Sequence, residues 1–329
     1  MRILVTGGGG FLGQAVVRLL LEAGHSVSVI NRRSYPDLEK LGVDCFCGDV
    51  GDSEAVLQAA DGSEAIIHVA ARAGPGLYFD DFYNANVLGT KHVLEACRVH
   101  GIGYLVHTSS PSVVHSGGDL ENADERQPYP DHFTAPYPET KAEAERLVLR
   151  ADGEVLSTCA LRPHLIWGPG DNQLLPRLVE KARAGRLRLP APDKLIDTTY
   201  IDNAARAHVQ ALDELMGQGR CRGKAYFISN GQPLPVREIL SRLLTAAGVK
   251  PAMGTVNPRV AMAAAVVVEG IWRMLGKRSD PPVSRFVVEH LSTAHWYNLA
   301  AARRDLGYEA HVSIEAGLER LRAAWQDTA

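Results

Sequence analysis

The sequence predicts an α/β protein with a doubly wound parallel sheet and a smaller C-terminal lobe. Three observations support this fold class. Short apolar segments alternate with amphipathic segments in the first half of the chain, a glycine-rich turn follows the first apolar segment, and proline becomes frequent after residue 163. Strands that are apolar along their whole length are typical of a parallel sheet covered by helices on both faces.

Six segments have the length and apolar character of buried strands. They cover residues 3–6, 26–30, 43–47, 64–70, 104–108 and 157–161. Four segments between them have apolar residues at helical spacing, at residues 12–23, 53–60, 83–100 and 138–150. Because a strand–helix–strand order makes crossover connections, the strands are expected to run parallel.

The composition argues against several classes of protein. The 35 Lys and Arg against 38 Asp and Glu give a net charge of -3, without the basic excess that nucleic-acid binding needs. Five cysteines without a CxxC pair, and 12 histidines without HxxxH spacing, predict neither a disulfide framework nor a metal site. A reducing, cytoplasmic setting is expected, and the first residues show no secretory signal.

The glycine-rich turn has the order of elements that a dinucleotide-binding site requires. Residues 6–13 read TGGGGFLG, directly after the first strand and at the start of the first helix. Its glycines allow a tight turn and close approach of the backbone to a pyrophosphate, which the helix N-terminus favours. The cofactor-binding residues predicted here are Gly7, Gly10, Phe11, Leu12 and Gly13. The pattern predicts a Rossmann-type fold, and the alternative is a plain strand-to-helix turn.

The end of the second strand indicates which dinucleotide is bound. Asn31, Arg32 and Arg33 stand where an NAD enzyme carries a ribose-reading carboxylate. A guanidinium binds a 2′-phosphate that a carboxylate would repel, so NADP(H) is favoured; the alternative is a pair of solvated arginines. Asp49 and Val50, after the third strand, are placed to meet the adenine ring.

A phenol and an ammonium group lie on one helix face. Tyr137 and Lys141 are four residues apart at the start of the predicted helix, and a cation near a phenol lowers its pKa. A tyrosine of that kind can donate a proton to a carbonyl. The serines of residues 108–112 (TSSPS) end a strand and can present a hydroxyl to the same oxygen.

Together these motifs resemble the extended short-chain dehydrogenase/reductase family. Further marks are HVAA at 68–71, NVLGT at 86–90, Arg162 with Pro163, and GPG at 168–170. The resemblance implies that Tyr137 is the acid/base, that Lys141 binds the nicotinamide ribose, and that Ser110 holds the substrate oxygen, with Ser112 as the competing choice. It also implies cofactor contacts from a further set of residues, namely Ala70, Ala71, Tyr137, Lys141 and Pro163.

Within that superfamily the chain is most similar to the 3β-hydroxysteroid dehydrogenase-like branch. Residues 108–114 (TSSPSVV) and 291–297 (LSTAHWY) resemble the bacterial 2-alkyl-3-ketoalkanoate reductases of long-chain olefin biosynthesis. The resemblance implies NADPH-dependent reduction of a 3-keto group to a 2-alkyl-3-hydroxyalkanoate. The alternatives are a 3β-hydroxysteroid dehydrogenase and, from another class, a non-catalytic NADP-sensing regulator. A homodimer is implied through the helices at residues 86–100 and 137–150.

The most apolar run, residues 260–268, is too short to span a bilayer, which takes about 20 residues. We expect residues 256–290 to form the apolar side of the substrate pocket and to contact a lipid surface or a partner enzyme. The alternative is an internal helix of the small lobe. Residues 1–162 are predicted to form the NADP-binding domain with its catalytic groups, and residues 163–329 a mainly substrate-binding lobe with segments that return to the sheet.

Overall fold

The computed structural model describes residues 1–326, so residues 327–329 of the predicted substrate lobe lie outside the described part. The first half contains β1 (Arg2–Thr6), α1 (Phe11–Glu22), β2 (Ser26–Asn31), α2 (Pro36–Glu39), β3 (Asp44–Cys47), α3 (Ser53–Ala60), β4 (Ala65–His68), α4 (Phe79–Tyr83), a π-helical turn (Asn84–Leu88), α5 (Gly89–His100), β5 (Tyr104–Thr108), a 3₁₀ turn (Pro111–Val114), β6 (Leu120–Ala123), α6 (Pro136–Arg150) and β7 (Ser157–Pro163).

The second half contains shorter strands and longer helices. Its elements are β8 (Ile166–Trp167), α7 (Leu174–Arg183), β9 (Arg188–Leu189), β10 (Leu195–Ile196), β11 (Thr199–Tyr200), α8 (Ile201–Met216), β12 (Lys224–Ile228), β13 (Leu234–Pro235), α9 (Val236–Ala246), β14 (Gly254–Thr255), α10 (Pro258–Met274), α11 (Arg285–Ser292), β15 (His295–Tyr297), α12 (Ala300–Leu306) and α13 (Ile314–Gln326).

Seven parallel strands form the central sheet, in the order β3-β2-β1-β4-β5-β7-β12. This confirms the predicted α/β, doubly wound architecture. The strand order reverses beside β1, where Thr6 pairs with Ile30 of β2 on one side and with His68 of β4 on the other. Ligands of such sheets bind in the crevice that opens at the carboxyl ends of the strands at this point.

Alternate residues of β1 enter two different cores, as the period of a strand requires. Ile3 and Val5 pack with apolar residues of α1 and α8 on one face. Leu4 packs on the other face with Val56 of α3 and Val93 of α5. Helices therefore cover both faces, and the crevice at the strand ends stays accessible.

The second lobe is interleaved with the sheet. Its largest sheet has the order β13-β10-β15-β6, so β6 joins it from the first half of the chain, while β12 returns from the second half to pair with β7. The acidic stretch at residues 119–125 contains β6 and is therefore not simply a solvated loop. β6 pairs with β15, and Asp119 Oδ1 accepts a hydrogen bond from the backbone amide of Ala294 at 2.8 Å. The short polar strand has no apolar alternation by which the sequence would identify it.

The predicted helix at residues 83–100 is helical throughout, but it contains a π-helical turn, Asn84–Leu88, between α4 and α5. Asn86 lies in that turn and is buried. Its side chain accepts from the amide of Arg72 (2.8 Å) and donates to Thr140 Oγ1 of α6 (3.0 Å). The turn thus ties the segment after β4 to the helix that carries Tyr137.

Residues 256–290 form the α10–α11 hairpin rather than a core helix. α10 buries only Ala261, Ala265 and Glu269, and the Val267 side chain is 60% exposed. Val267 consequently faces outward and does not line a pocket. Of the two helices, α11 is the one that faces the candidate site: the centroid of its Phe286 ring lies 5.9 Å from that of Tyr137. No helix in residues 1–326 is long and apolar enough to cross a bilayer.

Candidate active site

The predicted cofactor and catalytic residues come together at the carboxyl edge of the central sheet. The glycine turn follows β1, the Asn31–Arg33 segment ends β2, Asp49 and Val50 follow β3, and Ala70 and Ala71 follow β4. Ser110 follows β5, and Pro163 ends β7. Parallel strands end on one edge, which is why residues far apart in sequence share this crevice.

The glycine turn has the shape of a pyrophosphate cradle. Gly7 has a φ of +69°, and a side chain there would place a Cβ 2.9 Å from the backbone of Ala70. At Gly13 a Cβ would lie 2.1 Å from the carbonyl oxygen of Gly7. Gly10 ends the turn without a capping side chain, so the first amides of α1, at Phe11, Leu12 and Gly13, have no helical partner. Close backbone packing and free amides fit a dinucleotide phosphate.

Asn31 supports this turn from β2. Its buried side chain accepts a hydrogen bond from the amide of Gly9 at 2.8 Å through Oδ1. Arg32 and Arg33 are exposed, and neither makes an ion pair with another described residue. Their guanidinium groups are therefore available to a ligand. Asp49 is exposed as well, and its carboxylate accepts from the amide of Gly51 at 2.8 Å.

Tyr137 and Ser110 form the core of the candidate catalytic group. Burial raises the pKa of Tyr137 above its ordinary value, and the hydrogen bond with Ser110 opposes that rise. Ser110 Oγ also lies 2.9 Å from Ser112 Oγ, so the two candidate serines are hydrogen-bonded to each other. Ser110 is the member of the pair that hydrogen-bonds with the phenol. Tyr137 keeps its proton at neutral pH, which suits a proton donor.

Lys141 lies on the same helix face but does not set the pKa of Tyr137 in this structure. The residue is 2% exposed, and its ammonium group donates to the carbonyl oxygen of Thr108 at 2.6 Å and contacts His107 Nε2 at 3.3 Å. Burial lowers the pKa of Lys141 to about 8. The expected depression of the Tyr137 pKa by this cation is therefore not seen, because the ammonium group is directed to the end of β5.

Two buried histidines beneath Lys141 are absent from the sequence-based site. His68 of β4 and His107 of β5 are register partners with ring centroids 5.2 Å apart. Burial lowers the pKa of His68 to about 3 and that of His107 well below its usual range, so both rings are neutral. His107 can therefore accept a hydrogen bond from Lys141. His68 is fixed by Thr6 Oγ1 (2.7 Å) and Thr90 Oγ1 (3.1 Å).

A buried ion pair anchors α6 to the sheet. Arg162 of β7 donates to both carboxylate oxygens of Glu145, at 2.9 and 2.6 Å, and both side chains are almost fully buried. Tyr129 donates to the same carboxylate at 2.6 Å. The guanidinium holds the pKa of Glu145 below its usual value despite burial. Since α6 carries Tyr137 and Lys141, this pair fixes their positions relative to β5 and β7.

Aromatic rings of the second lobe approach Tyr137 from the other side. Phe286 contacts Tyr137, and the ring of His290 lies 4.3 Å from that of Phe286. His115 and His295 pack beside His290, at 4.8 and 5.6 Å between ring centroids. The motif at residues 291–297, on which the family resemblance rests in part, lies in this region, but it did not predict these ring contacts. Among residues 1–326 no group of three or more His, Cys, Asp or Glu is arranged to hold a metal ion.

His208 is a structural residue packed against the central sheet. It lies in α8, fully buried, with Nε2 2.8 Å from Thr108 Oγ1 and Nδ1 2.7 Å from the carbonyl oxygen of Ala204. Asp197, just after β10, is also structural. Its buried carboxylate accepts from Ser229 Oγ at 2.6 Å and from the amide of Gly231 at 2.9 Å.

Known proteins agree with this architecture. The sequence model of the 3-beta hydroxysteroid dehydrogenase/isomerase family matches residues 4–258. A 2-alkyl-3-oxoalkanoate reductase of Stenotrophomonas maltophilia is 51% identical, over 98% of this chain and 99% of that protein. A 3-beta-hydroxysteroid dehydrogenase of Mycolicibacterium neoaurum is 34% identical, over 96% of this chain and 89% of that protein.

Among solved structures, MoeE5 in complex with UDP-glucuronic acid and NAD superimposes with a TM-score of 0.76 at 24% identity, over the whole of both chains. That likeness shows the fold. The family match and the identity to two oxidoreductases across almost the full chain show that this chain is an oxidoreductase. They argue against the alternative of a non-catalytic regulator. The chain is a nicotinamide-dependent oxidoreductase and belongs to the 3-beta hydroxysteroid dehydrogenase/isomerase family.

Proposed function

We propose that this protein is an NADPH-dependent ketoreductase that converts a 2-alkyl-3-ketoalkanoate to the 2-alkyl-3-hydroxyalkanoate, a step of long-chain olefin biosynthesis. The observation that carries the proposal is the protonated, half-buried Tyr137, hydrogen-bonded with Ser110 beside the glycine cradle. The name of the relative that is 51% identical supports this substrate class over a steroid, since the steroid dehydrogenase is 34% identical.

The proposed chemistry divides between the cofactor and three side chains. A bound NADPH would supply the hydride that reaches C3 of the substrate. Tyr137 donates its proton to the ketone oxygen, and Ser110 positions that oxygen by a hydrogen bond. Lys141 would bind the nicotinamide ribose through its ammonium group, as the resemblance implies. A phenol whose pKa is raised by burial is in the protonated form that reduction needs.

The cofactor would be held by the glycine cradle together with Asn31–Arg33, Asp49, Val50, Ala70, Ala71 and Pro163. We propose that residues 1–162 form the cofactor-binding domain, and that residues 163–329 form the mainly substrate-binding lobe. The resemblance to extended short-chain dehydrogenases supports a homodimer through the helices at residues 86–100 and 137–150. Sedimentation equilibrium should then give twice the chain mass of 35.6 kDa.

A substrate panel tests the proposed reaction. Purified protein is assayed for reduction of 2-alkyl-3-oxo acids and 3-oxo steroids with NADPH, and for oxidation of 3β-hydroxysteroids with NAD⁺ or NADP⁺. We expect the highest kcat/KM with the oxo acids. Each added methylene contributes about 0.8 kcal/mol when buried, so kcat/KM should rise up to about fourfold per carbon. A higher kcat/KM with steroids would favour the dehydrogenase instead.

The cofactor preference gives a prediction for Arg32. We expect Arg32→Ala to weaken NADPH binding by about 1.5–3 kcal/mol, roughly tenfold to a hundredfold, because a charge-assisted contact to the 2′-phosphate is lost. NADH binding should be unchanged, and Arg33→Ala should have a smaller effect. Lys40→Ala is the matched control, since Lys40 is exposed directly after α2 and donates a hydrogen bond to Asp37. Equal losses with both cofactors would contradict the assignment.

The buried ammonium group gives a prediction for pH dependence. Because the pKa of Lys141 is lowered to about 8, the side chain loses its charge as pH rises through that value. We expect kcat/KM for ketone reduction to fall above about pH 8. Tyr137 remains protonated there, since its pKa is raised. In Lys141→Arg, which keeps its charge, the fall should move to higher pH. An unmoved fall would show that another group titrates.

A further inference from the structure

The outward face of α10 is apolar over its whole length. It carries the apolar stripe, defined as Val260, Ala263, Ala264, Val267, Ile271 and Met274, whose positions i, i+3, i+4, i+7, i+11 and i+14 share one face of a helix. The four large side chains of the stripe are 40–79% exposed. A solvated helix normally places polar residues on this face. A contiguous apolar surface of this kind is typical of an interaction site.

The inner face of α10 fixes which side points outward. Ala261 and Ala265 pack on Val288 of α11. Glu269 is buried, and its carboxylate accepts from the amide and from Nε of Arg285, at 2.7 and 2.8 Å. Small residues and a buried ion pair hold this side against α11, so the helix cannot rotate to bury its apolar stripe without leaving an acid unpaired.

The charges around the stripe indicate its partner. Arg259 lies at the start of α10, and Arg273, Lys277 and Arg278 lie at or just beyond its end, all of them exposed. The only acid of α10 is Glu269, which is paired with Arg285 at 2.8 Å and, at the longer distance of 4.0 Å, with Arg273. Among acids of neighbouring segments, Asp81 pairs with Arg278, and Asp280 pairs with Arg177. The apolar stripe is therefore bordered by a cationic margin on a protein whose net charge is -3.

We propose that α10 lies flat on an anionic lipid surface, with the apolar stripe in the acyl region and the cationic margin at the headgroups. Apolar area and basic residues are the two features by which interfacial helices bind anionic bilayers. Phe286 of α11 contacts Tyr137, so one helix separates this surface from the candidate catalytic group. Such docking would place an apolar substrate dissolved in lipid beside the site. The lipid contact itself does not rest on the proposed function.

Flotation of the full-length protein with vesicles tests this docking without cofactor or substrate. We expect binding to phosphatidylcholine vesicles that contain phosphatidylglycerol, and much weaker binding to phosphatidylcholine alone. Val267→Gln/Ile271→Gln should reduce the partition coefficient by at least about tenfold. Arg273→Gln/Lys277→Gln should remove the preference for phosphatidylglycerol and leave the residual binding to phosphatidylcholine.

The matched control is Leu41→Gln/Val155→Gln, which changes two exposed apolar side chains outside α10 (51% and 76% exposed). This variant should bind like the wild type. Equal loss of binding in the control, or no binding of the wild type, would overturn the proposal. Sedimentation without lipid tests the alternative that the stripe binds a second copy of the chain. If the molecular mass of the protein in solution falls only in Val267→Gln/Ile271→Gln, the stripe is a dimer contact, and the lipid proposal is overturned. Thermal unfolding verifies that each variant is folded.

Discussion

Replacing Tyr137 with phenylalanine is expected to lower kcat for ketone reduction by about 10²–10⁴-fold, the usual contribution of general acid catalysis. The variant loses one oxygen and keeps the ring that packs on Phe82 and Phe286. Only the proton needed in the transition state is removed, so NADPH affinity should remain near the wild-type value. Single-turnover kinetics and a fluorescence titration with NADPH measure the two quantities separately.

Tyr104→Phe is the matched control for this substitution. Tyr104 begins β5 and is half-buried, at the opposite edge of the sheet from the crevice. The same oxygen is removed there, and kcat should not change. A Tyr137→Phe variant that retains a near-wild-type rate would show that another group donates the proton. Ser110→Ala, by contrast, should reduce turnover while the pKa of Tyr137 rises, because its hydrogen bond lowers that pKa.

Replacing Arg162 with methionine is expected to destabilise the protein by about 3–5 kcal/mol, because the Glu145 carboxylate would stay buried without its partner. The pair is almost completely buried, and it joins α6 to β7. Urea unfolding measures the loss. The double variant Arg162→Met/Glu145→Leu should be more stable than Arg162→Met, since no charge is left unpaired. Arg98→Met, which breaks an exposed pair with Glu95, should change stability little.

A double variant that is no more stable than Arg162→Met would contradict this account of the pair. The position of α6 gives a second readout. Because Tyr137 and Lys141 lie on this helix, Arg162→Met should lower kcat even at temperatures where the variant is folded. A variant that is destabilised but has wild-type kcat would show that the pair stabilises the fold without positioning the catalytic group.

The central sheet was predictable because its signals are local. The strands at residues 3–6, 26–30 and 104–108 lie within β1, β2 and β5, which are continuous apolar segments bounded by turns. β12 was not predicted, because it lies beyond the region of regular strand–helix alternation and pairs with β7, more than sixty residues earlier in the chain. β6 is too short and polar to have a periodic signal, and its pairing with β15 depends on tertiary contacts.

The candidate site divides in the same way. The spacing of Tyr137 and Lys141 on one helix is a local property, and the structure brings Ser110 to Tyr137. His68 and His107 become neighbours only when β4 and β5 pair in register, which the sequence does not state. The orientation of α10 likewise depends on the burial of Glu269 with Arg285. Apolar composition alone predicted a pocket wall in contact with a lipid surface or a partner enzyme, with a core helix as the alternative.

Isotope transfer tests the central claim most directly. The protein is incubated with a 2-alkyl-3-oxoalkanoate and NADPH deuterated at C4 of the nicotinamide on the transferred face, and the acids are analysed by mass spectrometry. Our account predicts one deuterium at C3 of a 2-alkyl-3-hydroxyalkanoate, formed by the wild type and not at a comparable rate by Tyr137→Phe. The account would be contradicted if folded protein that binds NADPH gave back only the unreduced oxo acid and the ketone formed by its decarboxylation.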